Sequence, residues 1–199
     1  MNNCTVAGNR GTGLEDSGQS SITVLNSTIA GNGVTTGIVT FGCRIGAGTT
    51  ATFVNSIIAE NVGEADLKLE IGEEPETTNP TVTLIHSVYG SCPENQLALA
   101  VLQNCKAHDG SNLFNSYWNG KPVLTQLPDG TWAALLASEP NSLALTGGCD
   151  TYFSAENASA AYGDTPTYVA GTSGAERITT YQGGGQRGSD VIVIGAYGQ

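Results

Sequence analysis

The sequence predicts an all-β fold, a right-handed parallel β-helix: a single-stranded solenoid ending in an irregular C-terminal cap. Three observations carry this. Charged residues make up only 13% of the 199 residues, about half the ordinary share, and Gly, Ser, Thr and Asn take their place. That mixture starves helix surfaces of Glu, Lys and Arg and suits short strands joined by tight turns. Second, four segments align without gaps at offsets of 23, 29 and 31 residues: Asn3-Cys-Thr-Val-Ala-Gly-Asn9, Asn26-Ser-Thr-Ile-Ala-Gly-Asn32, Asn55-Ser-Ile-Ile-Ala-Glu-Asn61 and His86-Ser-Val-Tyr-Gly-Ser-Cys92. Third, a matching strand precedes each of the last three, at Ile22–Leu25, Ala51–Val54 and Val82–Ile85. Neither a leucine-rich signature nor a sustained helical period appears.

A thin repeat cannot bury a face alone and must stack on its neighbours, about 4.8 Å apart. The alignment therefore predicts columns: Val24, Phe53 and Leu84 in one, Val6, Ile29, Ile58 and Tyr89 in another, all facing a core or a sheet. Asn3, Asn26, Asn55 and His86 should form a structural ladder at the corner between two strands, with side chains hydrogen-bonded along the axis. Asn9, Asn32 and Asn61 should mark the next corner in the left-handed conformation that asparagine tolerates. Gly37–Phe41 and Asp66–Glu70 read as third strands, and Gly72–Pro80, with two prolines and three glutamates, as an excursion. Solenoid coils are expected over residues 1–105, with the last coils and the cap of the same domain over 106–199. The cap should cover the final strand edges, and Tyr117, Trp118, Trp132 and Tyr152 are expected to pack there.

The formal charge is −11, with seven basic residues scattered singly. No basic patch exists to neutralise phosphates, so nucleic acid is not an expected partner, nor is an anionic membrane surface. No run of about 18 apolar residues is present, so no membrane span is expected. The chain begins in mid-repeat without signal-peptide features; further coils are expected upstream, and the fragment is expected to self-associate through its open N-terminal edge.

The run Asn26-Ser-Thr-Ile-Ala-Gly-Asn32, followed late in the chain by Gln186-Arg-Gly188 and Ile194-Gly-Ala-Tyr197, resembles bacterial right-handed β-helix proteins of the choice-of-anchor Q type, a pectin lyase-like solenoid. In those proteins the terminal motifs read DQRG and DIGAYE, after a Pro-, Ser- and Ala-containing segment similar to Leu135–Gly148. Gly185, Val193 and Gly198 replace three acidic residues of that pattern, so no role of theirs carries over. The resemblance implies the fold and an extracellular or bacterial cell-surface location, and no particular activity.

Polysaccharide lyases and hydrolases share this architecture and need clustered or paired carboxylates with a base. The nearest arrangement is Glu60 beside Asp66 and Glu70, with Lys68 on the same strand face; a solvated strand face is the expected reading. His86 belongs to the ladder. His108-Asp109 are sequence neighbours that a strand would point apart, and Asp150 and Asp164 read as turn caps. No catalytic residue, cofactor or metal ligand is assigned. Cys4 and Cys43 read as buried fillers. Cys92 and Cys105 bracket a 12-residue excursion that a disulfide would pin in an oxidising compartment, with Cys149 as a competitor. The expected function is a non-enzymatic, adhesin-like surface or structural stalk whose partner is a polysaccharide or a host or cell-surface glycan. The alternative is the terminal portion of a carbohydrate-active enzyme with catalytic coils upstream.

Overall fold

A computed structural model of the chain describes residues 1–72, 78–127, 130 and 132–137, with the backbone of two later strands, Thr151–Phe153 and Ala175–Arg177. Cys149, Asp150, Asp164, the side chain of Tyr152 and the Gln186–Gly188 and Ile194–Tyr197 motifs lie outside the described residues. The first twelve strands are β1 (Thr5–Ala7), β2 (Leu14–Glu15), β3 (Ser21–Leu25), β4 (Thr28–Ala30), β5 (Phe41–Ile45), β6 (Thr50–Val54), β7 (Ile57–Ile58), β8 (Ala65–Leu69), β9 (Thr81–Ile85), β10 (Val88–Tyr89), β11 (Ala100–Gln103) and β12 (Lys106–Ala107). They pair with strands one pass away, not with their sequence neighbours. Sheet I runs β3-β6-β9-β11, sheet II runs β1-β4-β7-β10-β12 and sheet III runs β2-β5-β8, with every pairing parallel. The protein is all-β with parallel sheets, as expected.

The register is the one the repeat predicts. Val24, Phe53 and Leu84 stack, joined by Leu102, and so do Val6, Ile29, Ile58 and Tyr89. Alternate residues of all three sheets meet in one core that includes Val24, Ile29, Cys43, Phe53, Leu67 and Leu84, all without solvent exposure. Each such Val, Ile, Leu or Phe contributes about 1.5–3 kcal/mol. Burial, with the charge of Asp16 nearby, pushes the Cys43 thiol far above its usual range, which suits an inert filler. β5 starts where the expected strand Gly37–Phe41 ends. Ile38 and Val39 lie instead in an exposed loop.

The corners correct one expectation. Asn3, Asn26, Asn55, His86 and Asn104 hold positive φ (46° to 52°); each is a one-residue bend from sheet I to sheet II. Asn55 Nδ2 donates to Asn26 Oδ1 at 3.2 Å, and Asn104 Nδ2 lies 3.2 Å from His86 Nε2. At the second corner the left-handed residues are Gly8, Gly31 and Glu60, not Asn9, Asn32 and Asn61. Those three side chains instead carry hydrogen bonds from pass to pass. Backbone N–H and Nδ2 of Asn9 both donate to Asn32 Oδ1, and those of Asn32 to Asn61 Oδ1. Both donors of Asn61 end on Asp66 Oδ1. A carboxamide passes donors along; a carboxylate only accepts, and so closes the series. Asp66 Oδ2 takes the N–H and hydroxyl of Ser91.

A third column was missed: Ser27, Ser56 and Ser87, with Cys4 and Cys105 at its ends. Ser56 Oγ accepts the Ser27 N–H at 3.3 Å and donates to Val54 O at 2.9 Å, and Ser87 repeats the pattern one pass on. Cys105 Sγ makes the matching bond to Gln103 O, whereas Cys92 Sγ turns to Pro93 O. Both are free thiols, each held by its own local carbonyl, so the expected bridge is not formed. The excursion between them does other work. Helix α1 (Glu94–Leu97) occupies the turn where sheet III would take another strand. Gln96 Oε1 accepts the Leu69 N–H, and Ser91 O accepts those of Asp66 and Leu67. The edge of β8 is thereby satisfied.

The tail also departs from expectation. Its described part lies along sheet II and does not close the end of the stack. The residues of sheet II that alternate with the core column (Ala30, Ile57, Ala59 and Val88) pack outward on Leu113, Phe114, Ala134 and Leu136. The central strands of sheet II, β4, β7 and β10, are therefore covered on both faces. The tail forms two hairpins, β13 (Tyr117–Trp118) with β14 (Lys121–Pro122) and β15 (Leu124–Gln126) with β16 (Trp132–Ala134). Beyond them β17 (Thr151–Phe153) pairs antiparallel with β18 (Ala175–Arg177). Trp118 and Trp132 are 73% and 53% exposed, so neither packs as expected.

Replacing Ser56 with Ala should strand the buried Ser27 amide and cost about 1–3 kcal/mol in urea unfolding; Ser56→Cys, the residue found at both ends of the column, should cost less. At the corner from sheet III to sheet I, partial burial works to raise the Asp16 carboxyl. Hydrogen bonds from Ser20, Thr49, Gly46 and Gly18 outweigh it and hold the group below its usual range. A depressed carboxyl stabilises above its unfolded value, about 3.9, and loses that contribution as pH falls through the folded one. Asp16→Asn should therefore flatten the fall in thermal midpoint below about pH 4.

Candidate functional site

The repeat breaks most visibly at residue 60. Gly8 and Gly31 occupy the equivalent second-corner position, and Glu60 holds the same left-handed turn at φ 58°. For a residue with a Cβ this costs about 1–2 kcal/mol, and such strain persists only where surrounding contacts fix it. Here the contacts come from the tail. Glu60 Oε1 accepts the Leu113 N–H at 2.9 Å and lies 3.3 Å from His108 Nε2; Oε2 accepts the Tyr117 hydroxyl at 2.6 Å. Tyr117 in turn accepts the Phe114 N–H at 2.9 Å. Burial, then the neighbouring carboxylate, pushes the Tyr117 phenol far above its usual range, so it stays a proton donor. His108 Nε2 also lies 2.8 Å from the Ser111 carbonyl. A carbonyl only accepts, so that nitrogen carries a proton.

Between this corner and the tail opens a groove of about 600 Å³. Glu60, Asn61 and Val62 form one wall. The other comes from the segment after β12, through His108, Gly110 and Asn112, and from the first hairpin, through Tyr117, Asn119 and Gly120. Asn119 and Gly120 both hold positive φ (49° and 74°), the requirement of a two-residue hairpin turn with Asn-Gly. Pro122 seats the hairpin on the scaffold: a Cβ on Gly31 would come within 2.8 Å of its Cδ. Lys121 Nζ donates to Gly33 O at 3.0 Å.

The acidic group expected near β8 does not form a site, nor is it a simple solvated face. Glu60 clamps the tail, Asp66 is buried at the end of the amide series, and Glu70 pairs with Arg44 at 2.9 Å. Arg44 also reaches Glu15 at 2.7 Å; such exposed pairs contribute about 0–1 kcal/mol. Lys68 sits 5.9 Å over the Phe41 ring. His86 is a ladder residue, away from the groove. Asp109 turns to the Ser111 N–H, so His108 and Asp109 form no dyad. The cluster of Glu60, His108 and Tyr117 was not foreseen. Its one sequence signal is a glutamate where the repeat has glycine.

Chemically, the Glu60 carboxylate is surrounded by donors and is neither a poised base nor an open ligand. Among the described residues no group of three His, Cys, Asp or Glu side chains could hold a metal ion. No helix among them is long and apolar enough to cross a membrane. A second surface is the outer face of sheet I, where Ser21, Thr50 and Thr81 stack in one column and Thr23, Thr52 and Thr83 in the next.

Glu60→Gln keeps the size but replaces one accepting oxygen with a donor. It should cost about 1–3 kcal/mol and speed hydrogen exchange at the Leu113 and Phe114 amides, leaving Ile29 and Phe53 unchanged. Comparison with protein-family models, characterised proteins and solved structures finds no match to this chain.

Proposed function

We propose that the chain is part of a right-handed parallel β-helix from a secreted or bacterial cell-surface protein. In this reading it acts as a non-enzymatic, adhesin-like or stalk-like scaffold that contacts glycans. The solenoid is supported by strands that return to three parallel sheets in a fixed order, with columns in register. Parallel crossovers are right-handed in about 98% of cases, which supports the handedness. The surface location rests on the sequence resemblance.

The observation that carries the functional reading is the groove beside Glu60, where amide, phenol and imidazole groups sit among apolar surface and glycine backbone. Its size falls in the range of small-ligand clefts, about 300–1,000 Å³. Binding is favoured over catalysis because Glu60, the one carboxylate among the described lining residues, is committed to Leu113, Tyr117 and His108. Glycoside hydrolysis asks for two carboxyl groups facing a scissile bond.

The test is a panel of acidic and neutral polysaccharides, with and without calcium, scored for co-sedimentation, for unsaturated uronate absorbance and for new reducing ends. Retention without product is the expected result. Appearance of either product would replace the binding reading with the enzymatic one.

A further inference from the structure

We propose that the groove takes a neutral, hydroxyl-rich saccharide, gripped by the carboxamides of Asn112 and Asn119; this rests on the glycan-contacting reading above. Charge selects the ligand class. The groove contains Glu60, the chain carries a net −11, and the nearby Lys121 ammonium is directed to Gly33 O. A uronate or phosphorylated sugar would enter a negative field, and among the described lining residues no lysine or arginine stands to meet it. A cationic ligand would have to displace the donors already on Glu60.

The amides divide by availability. Asn61 lines the groove, but its side chain is used twice over. Its oxygen accepts from Asn32, and its nitrogen donates to Ile29 O and Asp66. Asn112 and Asn119 are exposed and line the groove from two different loops. Each carboxamide offers an acceptor and a donor side by side, the complement of two neighbouring sugar hydroxyls, which both donate and accept. Tyr117 adds ring surface to the wall. Its position is fixed at both ends, by the hydroxyl bond to Glu60 and by an edge contact with Phe114 at 6.3 Å between centroids. Gly110 and Gly120 leave main chain uncovered at the rim, where a hydroxyl can approach.

The experiment titrates the whole chain with cellotriose, maltotriose and chitotriose as neutral probes and with trigalacturonate as the anionic one, by calorimetry and by amide chemical shifts. At least one neutral trimer should bind and shift Asn112, Tyr117 and Asn119, with trigalacturonate silent. The paired change Asn112→Ala and Asn119→Gly should weaken that binding about tenfold. It should leave the thermal midpoint unchanged, because glycine accepts the positive φ at 119. A trimer that binds the double variant as well as the wild type overturns the groove assignment and leaves the glycan-contacting reading standing. Preference for trigalacturonate overturns the ligand class. Silence toward every trimer, together with no retention on the polysaccharide panel, overturns both.

Discussion

A strand in a parallel sheet hands its hydrogen bonds to the strands above and below, but the chain between sheets has to turn, and at each turn backbone groups point along the stack with no strand to receive them. Buried polar groups left in that state cost about 1–3 kcal/mol each. Side-chain columns answer this constraint. Asparagine oxygens, serine hydroxyls and two aspartates, Asp16 and Asp66, collect the N–H groups of the corners. The two asparagine columns run in opposite senses. Between carboxamides, Asn55 at the first corner donates to Asn26, toward the N-terminal pass; at the second, Asn9 donates to Asn32 and Asn32 to Asn61, toward the C-terminal one. Each direction needs its own terminus, and Asp66 supplies one.

The parts of the fold that repeat were legible in the sequence. Val24, Phe53 and Leu84 share a column because the same pattern of apolar residues recurs, and equivalence in a repeat becomes adjacency in a stack. The serine column was equally available, since a serine or cysteine follows each ladder residue, but only the cysteines of that column were given a reading, Cys4 as a filler and Cys105 as a bridge partner. Assigning the left-handed turn to Asn9, Asn32 and Asn61 failed for a physical reason. Both asparagine columns looked alike, and the discriminating residues were the preceding Gly8 and Gly31. Asp66, Gln96 and Glu60 were illegible in a stronger sense. Asp66 meets Ser91, Gln96 meets Leu69 and Glu60 meets Tyr117 across 25 to 57 residues, set by where a loop or a tail lands, and no local spacing reports that.

Double burial of the central strands of sheet II explains why they carry so little polarity. Ile57, Ile58 and Ala59 form an unbroken apolar run, the pattern of a parallel strand covered on both faces. One face looks to the shared core and the other to the tail. The described part of the tail, up to residue 137, is thus a second layer laid along one flank, and the groove is the gap at the margin of that layer, where Tyr117 meets the corner.

Stacks of like passes have a near-translational symmetry, and a segment lying along such a flank would find several nearly equivalent heights at which to rest. Glu60 removes the degeneracy. Gly8 and Gly31 offer no side chain at the same corner, so the donors of Leu113, His108 and Tyr117 meet a carboxylate at one height only, while Pro122 fits against the bare Gly31 one pass away. The pair works like a notch and a flat on a ruler. A single strained residue converts a periodic surface into one with an address, and the position of the groove along the axis follows from it.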